Sequence, residues 1–131
     1  MIDCHLHLQD PRFDPCLPAI LTDLRNAGVT RLVVNGTHPG DWDAVAGLAA
    51  RFPEVAASYG LHPWRVGTEP ETWLVELESR LASDDRSGIG EIGLDRFLRG
   101  HDLPRQLPVF AAQLDLARRL RRPVTIHCLR A

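Results

Sequence analysis

His5 and His7 stand two residues apart near the N-terminus. His62 lies in Gly60-Leu61-His62-Pro63, Glu91 in Gly88-Ile89-Gly90-Glu91-Ile92, and His127 closes Pro123-Val124-Thr125-Ile126-His127. Imidazoles and carboxylates are the donors that hold Zn²⁺, Mn²⁺ or a similar divalent ion, and one carboxylate can bridge two ions. Alternate residues of a strand point to one face, so His5 and His7 can grip the same ion. An ion so held lowers the pKa of a coordinated water, to ~7 in favourable zinc sites. Taken singly, each residue has a plainer explanation. An isolated His-x-His is more often a surface feature, and Glu91 alone is a partner for some neighbouring arginine. His127 alone is a satisfied core histidine, and His62 a cap on the turn before Pro63. What separates the two explanations is where the elements put these residues.

Short apolar runs at 32–35, 55–59, 88–92 and 123–127 read as buried strands, with a first strand at 1–5 argued from its place before them. Helical patterns fill the gaps. Asp14-Pro15 predicts an N-cap and N1 proline, Leu17, Ile20, Leu21 and Leu24 make one apolar stripe, and Gly28 ends it. A weaker helix covers 41–51, with Gly47 inside it. Thr68 and Glu71 have capping-box spacing ahead of Leu74, Leu77 and Leu81. Leu107, Phe110, Leu114 and Ala117 stripe the last helix, and Pro108 predicts a start near Gln106 rather than Pro104. Strands alternating with helices imply a parallel sheet with right-handed crossovers. The expected class is α/β, with residues 1–131 a single partial domain. A (β/α)₈ barrel needs ~250 residues, so five strands and four helices make about the first half of a TIM-like barrel. An open doubly wound sheet is the alternative. In a barrel the C-terminal ends of the strands share one rim, and there His5, His7, His62, Glu91 and His127 meet. Jointly, the functional reading wins.

Composition narrows the rest. The 131 residues are 44% hydrophobic with a formal charge of −2, ordinary globular values that give no global pull toward nucleic acid or anionic lipid. All 15 basic residues are arginine, which excludes a lysine nucleophile or Schiff base. Cys4, Cys16 and Cys128 are odd in number and lack C-x-x-C spacing, so free thiols in a reducing, cytoplasmic setting are expected. No run approaches the ~20 apolar residues of a membrane span, and no signal peptide opens the chain. His38 and His101 read as loop surface residues. Arg118, Arg119, Arg121 and Arg122 cluster at the end of the last helix, away from the rim, where cations suit the helix dipole. Of the three tryptophans, Trp64 alone is expected near the rim.

Met1-Ile2-Asp3-Cys4-His5-Leu6-His7-Leu8, Tyr59-Gly60-Leu61-His62-Pro63-Trp64 and Gly88-Ile89-Gly90-Glu91-Ile92-Gly93-Leu94-Asp95 resemble the TatD family of metal-dependent hydrolases. So does the closing run, with Phe110, Gln113, Leu116, Ala117 and Pro123-Val124-Thr125-Ile126-His127. The resemblance covers the whole chain, and the G-x-x-E-I-G-L-D run is its most specific part. It implies an amidohydrolase-like barrel with one or two divalent ions (Zn, Mg or Mn), His5 and His7 on one ion, His127 on the other and Glu91 bridging both. It implies that His62 contacts substrate, a phosphate oxygen, and that Asp95 and Arg130 are further rim residues. Asp3 is expected to orient the histidine pair or its strand. The implied reaction is attack of activated water on a phosphodiester, with DNA cleaved from a 3′ end. No membrane or stable protein partner is implied.

Two departures accompany the resemblance. Leu129 stands where the family has arginine, with Arg130 one place later. The family's further histidine and its aspartate base belong to the second half of the barrel, so an incomplete copy with little activity of its own is expected. Two alternatives stand beside this. One is a small-molecule hydrolase on the same scaffold; the other is a non-catalytic half-barrel that self-associates through open sheet edges.

Overall fold

A computed structural model describes residues 1–97 and 103–131; His101 lies outside the described residues. Five strands, β1 (Ile2–Leu6), β2 (Arg31–Asn35), β3 (Val55–Tyr59), β4 (Gly88–Asp95) and β5 (Val124–Leu129), form one parallel sheet in the order β1-β2-β3-β4-β5. Between them run α1 (Leu17–Asn26), α2 (Trp42–Arg51), α3 (Trp73–Ser83) and α4 (Leu103–Leu120). A doubly wound sheet reverses its strand order at a switch point. This sheet never reverses, so the barrel half is the correct architecture.

The core lies where the sheet meets its helices. Val34, Val45, Leu77, Leu81, Ile89 and Ile92 have no exposed surface. Each such side chain contributes about 1.5–3 kcal/mol relative to exposure. The central strands are buried, whereas the edge strands carry the exposed Ile2, Val124, Ile126 and Leu129. Among the described residues, no helix is long and apolar enough to cross a membrane. All three cysteines are free and exposed.

The helix boundaries correct the sequence expectations in three places. Asp14 does not cap α1: it closes a 3-10 turn over Pro11–Phe13, and the helix starts at Leu17 after Cys16, with Pro18 in its first turn. Gly28 does take the position past the end of α1, at φ +81°. Thr68 and Glu71 form no capping box. The Thr68 hydroxyl donates to the Arg65 carbonyl at 2.8 Å, and α3 begins at Trp73. Helix α4 begins at Leu103 and carries Pro108 inside it. Its buried face is set by Gln106, Gln113, Leu116 and Ala117, while Leu107 and Leu114 are exposed. The expected stripe was about one residue out of phase, because the two glutamines occupy the inner face.

Candidate metal centre

His5 and His127 arrive from the C-terminal halves of β1 and β5, Glu91 from the middle of β4, and His7 and His62 from the residues that follow β1 and β3. Two of them sit where the sheet is irregular. The β1–β2 register shifts between Asp3 and Leu6, around His5, and the β4–β5 register shifts between Ile89 and Ile92, around Glu91. Such bulges re-aim side chains near active sites. Asp3 serves the strand, accepting the His5 backbone N–H at 3.2 Å. Gly93 permits the close approach of β4 to β5: it sits at φ +150°, and a Cβ there would lie 1.9 Å from the His127 carbonyl oxygen.

Glu91 is the centre of the arrangement. Its Oε2 lies 2.9 Å from His5 Nε2 and 3.1 Å from His7 Nε2, and its Oε1 lies 3.0 Å from His127 Nδ1 and 3.6 Å from His62 Nε2. The carboxylate is 3% exposed. Burial pushes its pKa up, but the facing imidazoles of His62, His7 and His5 more than reverse this and hold it far below the usual carboxylate range. In return, the Glu91 hydrogen bond raises His7 above its ordinary 6.5 against its own burial.

The hydrogen bonds fix how each ring can act. The Asn35 carbonyl, which can only accept, lies 2.8 Å from His7 Nδ1, so one proton stays there; the second, on Nε2, is the one that bonds Glu91, and its loss leaves a lone pair pointing inward. His127 stands between two carboxylates, with Nε2 3.1 Å from Asp95 Oδ2. Its Nδ1 faces Glu91 Oε1 at 3.0 Å; with the Nε2–H donated to Asp95, the Nδ1 lone pair points inward. His62 differs. Its Nδ1 accepts the Trp64 backbone N–H at 3.1 Å, so a neutral His62 carries its proton on Nε2 and points an N–H into the site.

Two triads of donor atoms result, His5–His7–Glu91 and His62–Glu91–His127, each mutually within 4.8 Å and sharing Glu91. The donor chemistry fits a divalent ion at the first triad and at Glu91–His127. His62, presenting an N–H, fits a hydrogen-bond donor better than a ligand. All five residues line one open cleft of about 580 Å³.

The structure brings His5, His7, His62, Glu91 and His127 together as the sequence predicts. His38 is a correction: it is half-buried, contacts Thr37 Oγ1 at 3.1 Å and lines the cleft. Arg130 lies over the Phe97 ring at 4.7 Å from its centroid, outside the cleft wall. The basic cluster on α4 is also structural: Arg118 pairs with Asp115, Arg119 with Glu78, and Arg122 donates to the Leu81 carbonyl. Sequence reasoning missed the roles of Gln106 and Gln113. The signal was available, two polar residues seven apart on the inner face of an amphipathic helix.

A family model described as TatD related DNase matches residues 2–131. The chain is 34% identical to the human deoxyribonuclease TATDN3, over 97% of this chain and 51% of that protein. It is 32% identical to the 3′-5′ ssDNA/RNA exonuclease TatD of Edwardsiella piscicida, over 100% of this chain and 51% of that one. The crystal structure of YjjV, a TatD homologue from Escherichia coli K12, superposes with a TM-score of 0.93 at 32% identity, over 99% of this chain and 51% of that one. A TatD family hydrolase from Entamoeba histolytica shares the fold, with a TM-score of 0.87 at 21% identity. The chain spans about half the length of the relatives it matches.

Proposed function

This chain belongs to the TatD-related DNase family, and on that premise we propose that it forms the metal-holding half of a cytoplasmic phosphodiesterase that shortens single-stranded nucleic acid from its 3′ end. The observation that carries this reading is the buried Glu91 carboxylate, which offers one oxygen to His5 and His7 and the other to His127. His5 and His7 would hold one divalent ion and His127 a second, with Glu91 between them. Ions at these positions supply Lewis acidity to a phosphoryl oxygen and lower the pKa of water.

The chain's own residues do the rest. Asn35 and Asp95 keep His7 and His127 in the tautomers that face inward. His62 donates its Nε2 proton as a hydrogen bond to a non-bridging phosphate oxygen. Its Nδ1 cannot turn away without breaking the bond to the Trp64 N–H. Glu91, held ionised by its neighbours, keeps a negative charge at the centre at any ordinary pH.

The test is digestion of single-stranded DNA labelled at the 5′ end, with Mg²⁺, Mn²⁺ or Zn²⁺ supplied in turn. A ladder shortening weakly from the 3′ end, abolished by EDTA and by Glu91→Gln, is expected. A preparation that binds no divalent ion at all in equilibrium dialysis would overturn the reading.

A further inference from the structure

Trp64 is the half-exposed aromatic of the cleft, with 52% of its surface open, whereas Trp42 and Trp73 are buried at 1% and 9%. An exposed tryptophan needs no explanation by itself. This one is unusual because it is held. It sits in a short 3-10 turn, Pro63–Arg65, and its backbone N–H is taken by His62. Its indole N–H donates at 2.6 Å to Oδ2 of Asp95, which is wholly buried. The rings of His62 and His127 stand edge-on to it at 5.0 and 6.2 Å. One edge of the indole is thus pinned to the floor of the site while much of the ring stays in water. Beside it, the exposed Arg65 lines the same cleft and makes no ion pair among the described residues.

Building on the phosphodiesterase reading, we infer that Trp64 is a stacking platform for a nucleobase of the bound strand, with Arg65 meeting the phosphate next to it. An aromatic ring held in advance loses no conformational freedom on stacking, and every base presents a π-face to it. The pairing of a flat ring with a neighbouring cation is the one single-strand binders use. A wall serving only to anchor His127 would need the N–H that reaches Asp95, not an open ring.

The test uses short single-stranded DNA with phosphorothioate linkages that resist cleavage, in two forms: fully based, and with abasic sites at its 3′-terminal positions. Binding is read by anisotropy of a 5′ label in the presence of Mn²⁺. The wild-type chain is expected to bind the based strand roughly 5- to 100-fold more tightly. Trp64→Ala should bind the two strands alike. Trp64→Phe, which keeps a ring but lacks the N–H to Asp95, should keep most of the preference. Equal binding of both strands by the wild type overturns the stacking role and leaves the phosphodiesterase reading standing. If Trp64→Phe behaves as Trp64→Ala, the effect runs through Asp95 and the platform is likewise overturned. If the wild type binds neither strand while retaining Mn²⁺, the phosphodiester reading itself falls, and the platform with it.

Discussion

Gln113 holds Leu61 by both of its backbone groups. Its Oε1 accepts the Leu61 N–H at 2.7 Å and its Nε2 donates to the Leu61 carbonyl at 3.2 Å, all of it buried. Leu61 is the residue before His62, so a side chain from α4 fixes the backbone that aims an imidazole into the cleft. About two turns earlier, Gln106 does the same for Asp95, accepting its N–H at 2.7 Å and donating to its carbonyl at 2.8 Å. Two glutamines on one helix therefore stitch one site loop and the end of β4 to the scaffold.

Gln113→Met keeps the length of the side chain but leaves both Leu61 groups buried and unpaired. The expected cost is about 2–4 kcal/mol in urea unfolding. Leu107→Ala, on the face that the apolar spacing favoured, should cost roughly 0.5 kcal/mol or less, because Leu107 is 50% exposed. The reverse order of the two variants would show that the buried face of α4 has been misassigned.

These glutamines also mark the limit of what the sequence carries. The strand positions and the convergence of His5, His7, Glu91 and His127 were legible, because β-α alternation sends strand ends to one rim. The helix starts at Asp14 and Thr68 were not, since the Asp14 backbone N–H and the Thr68 hydroxyl each close a local turn instead of capping a helix. Asp95 was visible only as a rim residue. Its hold on Trp64 and His127 depends on β4 running to eight residues, beyond the apolar stretch that announced it. Gln106 and Gln113 leave a trace, a seven-residue spacing on one helix face, but nothing in it names the backbone groups they bond across the fold.

Gly93 supplies a sharper test of how β4 and β5 fit. A methyl group at this position meets the His127 carbonyl oxygen at 1.9 Å and its backbone nitrogen at 3.0 Å. Neither is the end of a flexible side chain, so the strands must part, and φ +150° is itself unfavourable for alanine. Gly93→Ala is expected to cost roughly 3 kcal/mol or more in thermal or urea unfolding. A loss below about 1 kcal/mol would mean that the two strands are not packed at this distance.

The metal-free chain should show a defined pH window of stability. The pKa of His7 is raised above its ordinary 6.5 by the Glu91 bond, so its contribution is complete below pH 6.5 and fades as pH climbs through the raised value. Glu91 is depressed below its ordinary 4.5, so its contribution is complete above that pH and fades as pH falls through the depressed value. Melts in EDTA should therefore plateau between about pH 4.5 and 6.5 and decline above it. His7→Gln should flatten that alkaline decline. A stability maximum above pH 8 in EDTA would contradict the pairing. Added Zn²⁺ should act oppositely, stabilising more as pH rises, because the ion competes with the proton on His7.

The two triads predict separable ion losses, read as the number and affinity of ions retained in Mn²⁺ or Zn²⁺ dialysis. His5→Ala should abolish the ion held with His7 and spare the other. Asp95→Asn should act through His127, whose Nε2 lies 3.1 Å from Asp95 Oδ2, and weaken the second ion roughly 10- to 100-fold. Glu91→Gln should damage both, since each triad uses one of its oxygens. If His5→Ala and Asp95→Asn deplete the same ion, the chain holds a single centre, and Glu91 serves it alone instead of standing between two.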